Sequence, residues 1–411
     1  MRIELREHGP AEIVPRMPPE VGRALAPLVR VVDTGTNQSR VIPGVKVGVL
    51  RADRVTVQVE PKLDIAHLLF LVDYAARPVG WRDPLVTMGE VKEGLVATVA
   101  DAFARLAVSA LSRGTLQGYR TVTTTSSVLR GRLRATARFG ARPVPFPFPV
   151  SYTEFGPDIP ENRVLRAAAL RARQLPRLRP DTRERLDLVV RTLTGVPDAP
   201  APWNPTRANA PYRGALRLAE LILSGSGFGP ARGKVVVHGF VLDLDVVFQN
   251  FVCTALGQAL ETRVGGAGGR VRAPYRTHLD VEAEVPISPD FAVLVDGHPA
   301  AIADAKYKHG GKRIPADLYQ MVVYCSALGL PRGHLVYAAG PSDPVVHEVR
   351  HSGVRVYRHF LDLTGSPPQL LAAVDRVAEE LAHDMESGTG TPTTLDDRLE
   401  EVVHVRAAEA P

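Results

Sequence analysis

Residues 287–310 read ISPDFAVLVDGHPAAIADAKYKHG, and three ionisable side chains stand where a sheet would favour apolar ones. Asp290 opens a first strand, and Asp304 and Lys306 close a second. Two carboxylates on one face repel each other, and burying them is costly unless something neutralises them. A hard divalent cation does so, and Mg2+ is the ordinary partner of one or two carboxylates plus a substrate phosphate. A neighbouring ammonium can then orient a water, stabilise hydroxide formed from it, or stabilise charge developing on phosphorus. The three residues predict a phosphodiester hydrolase centre.

That chemistry requires the elements to deliver all three groups to one side of a sheet. Side chains alternate faces along a strand, so Asp304 and Lys306 point the same way. Asp290 depends on the turn. A two-residue loop at Asp296-Gly297 would pair position 290 with 303 and send Asp290 to the opposite face. A three-residue loop over Gly297-His298-Pro299 would pair 290 with 306 and keep it on the same face. The chemistry predicts the odd-numbered loop, or a bulge with the same effect. Two acids and a lysine alone fit a surface ion pair better, but the next helix shifts the balance. In DLYQMVVYCSALGL, Gln320 and Tyr324 stand four apart beside Asp317, opposite a face of Leu318, Met321, Val322 and Cys325. The basic run KYKHGGKR (306–313) suits phosphate contact, although such a run alone is more often a solvated loop.

The whole chain has 411 residues, room for two or three domains. Fifty basic against 44 acidic residues leave a formal charge of +6, compatible with a polyanionic partner but weak evidence for one. No long uncharged apolar run and no signal-peptide core stand out, so no membrane span is expected. Two cysteines, Cys253 and Cys325, lack partner spacing; that points to a reducing, cytoplasmic setting and away from disulfides or a zinc site.

Residues 1 to about 62 read as β, with Val45–Leu50 and Val55–Pro61 alternating across the turn RADR. Asp64 reads as the N-cap of a short apolar helix, and a longer helix is expected from about Gly89 to Leu111. Residues 117–153 look β again, with ARPVPFPFPVSY too proline-rich for a central strand. DIPENRVLRAAALRARQL offers Asp158 as N-cap, Pro160 in the first turn and Glu161 closing a capping box. Two more helices flank Val196–Pro211, the clearest linker-like loop. From about 242 to 360 a helix, three strands, a helix and two strands predict a mixed sheet flanked by helices. A helix near Gln369–His383 and a polar tail follow. The fold class is α+β or α/β and multidomain. Expected divisions are a β-rich domain with helices over 1–115, a β and helical middle region over 116–235, the mixed-sheet domain over 236–387 and a flexible tail over 388–411.

The order Pro289-Asp290, Asp304-Ala305-Lys306, Gln320 and Tyr324 resembles the PD-(D/E)XK nuclease core, in the branch that carries a Gln-xxx-Tyr helix. VGVLRADRVTVQVEPKLDIAHLLFLVDYA, YTEFGPDIPENRVLRAAAL, LDLDVVFQNFV and DLYQMVVY resemble, in order, recurring segments of the McrC family, the endonuclease subunits of McrBC modification-dependent restriction systems. The resemblance spans roughly residues 40–330. It implies a C-terminal Mg2+-dependent nuclease and an N-terminal part that docks into a hexameric ring of McrB, an AAA+ GTPase. The partner would bind GTP and recognise methylated cytosine in double-stranded DNA, and this chain would cut. Carried over by position, Asp290 and Asp304 become metal ligands, Lys306 the catalytic lysine, and Gln320 and Tyr324 auxiliary site residues. One position departs from the pattern. The family's Phe-Glu step on the helix before the sheet is here Phe248-Gln249. Gln249 as a metal-site residue supplies an amide oxygen without charge, and Glu282 or Glu284 on the neighbouring strand could compensate.

Other features point elsewhere. Asp158, Asn162 and Arg163 match the family but are explained by a helix cap and an interdomain salt bridge. Arg130 and Arg132 around Gly131 suit a structural turn as well as a DNA or partner contact. No GxxxxGK[ST] motif occurs, so GTP binding by a P-loop is not expected. The glycines of 264–271 lack the strand a dinucleotide site needs and read as a loop. The absence of glutamate at position 249 leaves one alternative, a degenerate subunit that only activates the partner's GTPase; a separate one is an unrelated repair or defence nuclease with the same core, against which the N-terminal β segments argue.

Overall fold

The structure is a computed structural model that describes residues 1–76, 94–133, 146–175, 178–224, 237–264, 269–309, 314–341 and 343–387. In chain order the elements are β1 (Arg2–Arg6), β2 (Glu12–Pro15), α1 (Pro19–Leu25), β3 (Val29–Asp33), β4 (Gln38–Pro43), β5 (Lys46–Ala52), β6 (Val55–Glu60) and α2 (Ile65–Ala76). Then come α3 (Gly94–Leu111), β7 (Gly118–Ser126), β8 (Arg132–Leu133), β9 (Phe148–Gly156), α4 (Pro160–Ala172), α5 (Pro180–Thr192), α6 (Arg213–Ser224) and β10 (Val237–Asp243). The last group is α7 (Leu244–Val264), β11 (Arg270–Arg272), β12 (Thr277–His278), β13 (Pro286–Ile287), β14 (Phe291–Val295), β15 (His298–His309), α8 (Ile314–Leu328), β16 (Arg332–Ala339), β17 (Val345–Glu348), β18 (Arg355–Phe360) and α9 (Pro367–Ser387). The basic run beyond residue 309, the glycines at 265–268 and the tail lie outside the described residues.

The chain packs as two units, one of residues 1–65 and 85–243 and the other of 66–84 and 244–411. Elements β7 to α6 pack within the first unit, and β10 joins its sheet, ordered β1-β6-β5-β10. Gly48 of β5 shows why that edge admits β10 closely: its φ is +131°, and a Cβ there would lie 2.1 Å from the Phe240 carbonyl oxygen. A second sheet is ordered β2-β4-β3 and a third β7-β9-β8. In the third, the proline-rich stretch supplies the central strand, contrary to expectation. Among the described residues β8 pairs with Val150 and Ser151 of β9, and Pro149 pairs with Thr125 of β7 alone.

Helices α3 to α6 pack on one another beside these sheets. Among the described residues α3 is the one helix long and apolar enough to cross a membrane. It packs on α5 and α6 with Leu95, Val99 and Phe103 buried, and its Asp101 accepts a hydrogen bond from Thr182 of α5 at 2.7 Å. These are the contacts of a core helix. The capping box at α4 does not form. Ile159 is the N-cap and makes no side-chain cap bond. Asp158 instead pairs with Arg163 and Arg120, at 2.5 and 2.7 Å, within one unit rather than between domains. Glu161 accepts from Asn209, whose fully buried amide also fastens the 196–211 loop internally.

The second unit is built on a six-stranded mixed sheet ordered β11-β14-β15-β16-β18-β17. β14 and β15 form an antiparallel hairpin, and β15, β16 and β18 run parallel. A parallel neighbour needs a crossover, and α8 supplies it between β15 and β16. α7 and α9 pack together and on β15, while α8 packs on β16, β15 and β18. Ala292, Ile302, Leu335, Tyr337 and Val356 meet Met321, Tyr324 and Cys325 of α8 in one core cluster. The mixed sheet with flanking helices matches the sequence reading; β12, β13 and β17 are short strands that it passed over.

Candidate active site

The hairpin turn decides where Asp290 stands. Val295 pairs with His298, leaving the two-residue loop Asp296-Gly297, both at positive φ (52° and 86°) as a tight hairpin turn requires. That loop alone would put Asp290 on the wrong face. A bulge between Val293 and Leu294 shifts the register by one, so Phe291 pairs with Ala303 and Asp290 falls opposite Asp304. The bulge restores what the three-residue loop was expected to achieve.

The groups that the sequence singled out come together in the second unit. Asp304 is 3% exposed, and its carboxylate is ion-paired with the Lys306 ammonium. The Asp304 Oδ2 is buried and accepts no hydrogen bond of good geometry beside that pairing. Asp290 Oδ2 accepts from the Ala305 backbone N–H at 3.0 Å, and Oδ1 accepts from the Gln249 amide. Lys306 Nζ also donates to Gln320 Oε1 at 3.0 Å, and Gln320 Nε2 donates to the Tyr324 hydroxyl at 2.8 Å. Tyr324 in turn points its O–H at the Ser288 carbonyl, 3.4 Å away. One directed chain thus runs from the residue before Pro289 through the helix to the lysine. It fixes the Gln320 amide with its oxygen toward the ammonium.

Electrostatics follow from this packing. Burial, then the Asp304 charge, push the Asp290 carboxyl up to about 7. For Lys306, burial works against the charged form, but Asp304 and Asp290 outweigh it and the net shift is upward. Burial and then Asp304 raise the Tyr324 hydroxyl above its ordinary range. Lys306 is accordingly an ammonium at neutral pH and Tyr324 a neutral phenol.

Three expectations change. Asp317 and Tyr324 lie on the buried side of α8 with Met321 and Cys325, and the opposite side carries exposed Tyr319 and Val323. The stripe is mixed because Asp317 meets the Tyr337 hydroxyl at 3.1 Å, which satisfies a carboxylate inside the packing. Glu282 and Glu284 lie exposed in the turn between β12 and β13 rather than on a strand, and that turn is tied to Asp280 at 3.0 Å from the Glu284 N–H. Gln249 reaches Asp290 through its amide nitrogen, so it acts on a carboxylate and would have to turn its amide over to present oxygen to an ion.

Two participants escaped the sequence reading. The Ala305 N–H belongs to the backbone and has no side-chain signature. Cys253 lies one helical turn after Gln249, and its thiol donates to the Asp290 carbonyl at 3.3 Å. Burial, then Asp290 and Asp304, push that thiol up to about 12, which keeps it protonated and unreactive. Its spacing from Gln249 on a helix was the available clue.

The donor set suits a hard divalent cation. Two facing carboxylates lie in a half-buried site, one with a raised pKa, and a single ammonium, that of Lys306, answers them from within the protein. Such an arrangement is relieved by positive charge from outside the protein.

Residues 43–338 match the sequence model of a family described as McrBC 5-methylcytosine restriction system component. No curated protein matches. Among solved structures, similarity is found to a chain of the refined half-complex from a tetradecameric assembly of Thermococcus gammatolerans McrB AAA+ hexamers with bound McrC. That likeness covers 92% of this chain and 100% of the other at 17% identity, with a TM-score of 0.54. A chain of the cryo-EM structure of the Thermococcus gammatolerans McrBC complex is also similar, over 63% and 88% of the two chains at 19% identity, with a TM-score of 0.38. At these identities the first likeness is one of fold.

Proposed function

The chain belongs to the McrBC 5-methylcytosine restriction system component family, and from that premise we propose that it is the DNA-cutting subunit of such a system, a Mg2+-dependent endonuclease of the PD-(D/E)XK type. The observation that carries this reading is the convergence of Asp290, Asp304 and Lys306, with Gln320 and Tyr324 behind them, at one end of the mixed sheet.

Asp290 and Asp304 would hold the ion, which supplies Lewis acidity toward a phosphodiester and offsets its negative charge. The protein's own groups do the positioning. The Ala305 N–H and the Gln249 amide fix both oxygens of Asp290. Lys306, held as an ammonium by Asp304 and Gln320, stabilises charge that develops on the phosphate or orients the attacking water. It serves as a charge stabiliser rather than a base, because its pKa is raised. Tyr324 positions Gln320, and Gln320 positions Lys306.

The Thermococcus gammatolerans assembly joins McrB AAA+ hexamers with McrC. We propose the same kind of partnership for this chain, in which the first unit docks on an AAA+ partner that binds GTP and recognises modified cytosine in duplex DNA, in a cytoplasmic setting. The division of labour also explains why this chain needs no nucleotide motif. One observation favours a second reading: Gln249 meets Asp290 with nitrogen where the family has a carboxylate. A weakened metal site would leave a subunit that stimulates the partner's GTPase without cutting. A cleavage assay with modified DNA, Mg2+, GTP and partner separates the two. Cutting that disappears in Lys306→Ala supports the nuclease; stimulated GTP turnover with intact DNA supports the regulator.

A further inference from the structure

The sheet face away from Asp304 carries a second cluster. His334 pairs in register with Ala303, the neighbour of Asp304, so it points to the side covered by α9. His334 on β16 and His359 on β18 are 1% and 3% exposed, and their rings stack at 5.2 Å between centroids. His334 Nδ1 and His359 Nε2 are 2.9 Å apart. Glu380 of α9 brings its Oε2 to 3.8 Å from the same His359 nitrogen, and the three donor atoms all lie within 4.8 Å of one another. One turn along α9, Asp384 Oδ2 accepts from His334 Nε2 at 2.9 Å, and Arg332 holds the other Asp384 oxygen.

The carboxylate settles the tautomer of His334. Asp384 can only accept, so the proton is on Nε2 and the Nδ1 lone pair faces His359. A hydrogen bond from His359 would satisfy that lone pair. It leaves Glu380 unexplained, since the 3.8 Å from its Oε2 to His359 is too long for a hydrogen bond. Metal–ligand bonds of about 2.0–2.2 Å in a tetrahedron place donor atoms roughly 3.3 Å apart. Two of the three separations, 2.9 and 3.8 Å, bracket that value, and the third lies within 4.8 Å. A histidine that offers one nitrogen to an ion and gives its other N–H to a carboxylate is also the usual outer-shell arrangement around bound zinc. The Glu380 side chain is 39% exposed, so that corner of the cluster meets solvent, the source of a water as fourth ligand.

We infer that His334, His359 and Glu380 form a zinc-type site, oriented by Asp384 and Arg332, that clamps α9 onto β16 and β18. Two imidazoles and one carboxylate select a borderline first-row ion such as Zn2+ over Mg2+. The site shares no residue with the Asp290–Asp304 centre, so neither reading depends on the other.

The test is Zn2+ titration by calorimetry, with Co2+ absorption as a second probe, on the untagged full chain carrying Asp304→Asn to remove the candidate magnesium site. One equivalent of Zn2+, a tetrahedral Co2+ spectrum and a rise in thermal midpoint with Zn2+ are expected. Asp384→Asn should weaken Zn2+ about 10–100-fold. Glu380→Gln, at the half-exposed position where folding is least at risk, should do at least as much and abolish the thermal shift. No bound equivalent of Zn2+, or an affinity unchanged in Glu380→Gln, would overturn the site and leave a hydrogen-bonded histidine pair.

Discussion

At the scale of residues, Asp290 is the most informative group. Its carboxyl is pushed up to about 7, first by burial and then by Asp304, against an ordinary value of 3.8. A carboxyl raised in the folded state binds more protons there than in the unfolded chain. Its contribution is therefore present below about pH 4 and lost as pH rises to about 7. In chelator, the denaturation midpoint is expected to fall across that window, and Asp290→Asn should flatten the profile. Mg2+ added near pH 8 should restore stability to the parent and do much less for Asp290→Asn. A profile unchanged by the substitution would show that Asp290 is not the strained carboxylate. Tyr324→Phe removes the acceptor that orients Gln320 and should lower cleavage about 10-fold while leaving Mg2+ affinity in place. The identities of Asp290, Asp304, Lys306, Gln320 and Tyr324 were readable from type and spacing. What Gln249 would turn toward Asp290 was not, because a side-chain amide has two chemically opposite ends and spacing does not choose between them.

At the scale of elements, the hairpin shows where sequence reasoning stops. The turn residues Asp296-Gly297 specify a two-residue loop, and the chemistry demanded the other parity. A bulge between Val293 and Leu294 reconciles them, and nothing in FAVLV marks its place. The cap at α4 failed for a related reason: Asp158 had two arginines within reach, and ion pairing displaced the local capping bond. α8 depends on Gly333 of β16, where a Cβ would come within 2.5 Å of Met321 Sδ and 2.6 Å of Cys325 Sγ. Gly333→Ala should force the helix away, costing about 1–3 kcal/mol in the denaturant midpoint. It should also cut DNA cleavage by more than that loss of folded protein explains, because Gln320 and Tyr324 ride on the same helix. Cleavage that falls only with the folded fraction would mean that α8 is structural alone. The His334–His359 pair lay outside sequence reasoning entirely, since two parallel strands, separated in sequence by β17, bring it together side by side.

At the scale of the molecule, two compact units divide the proposed tasks. If the acid–lysine cluster serves only cutting, the first unit should work without it. Asp304→Ala is expected to keep its association with a ring-forming AAA+ partner and its stimulation of GTP turnover, measured by sedimentation and phosphate release. Loss of both would place Asp304 in the fold rather than in the chemistry. The mixed sheet and its helices were legible because each element carries its own periodicity. The pairing of β10 with β5, a strand from the opening part of the chain, was not, because no local pattern announces so distant a partner. The most direct measurement is cleavage of duplex DNA containing 5-methylcytosine by this chain with its AAA+ partner, GTP and Mg2+, comparing the parent with Lys306→Ala. The expected result is Mg2+-dependent cutting by the parent and a loss of at least about 10²–10³-fold in the variant, with GTP turnover unchanged. Equal cutting by both chains would contradict the assignment of this site.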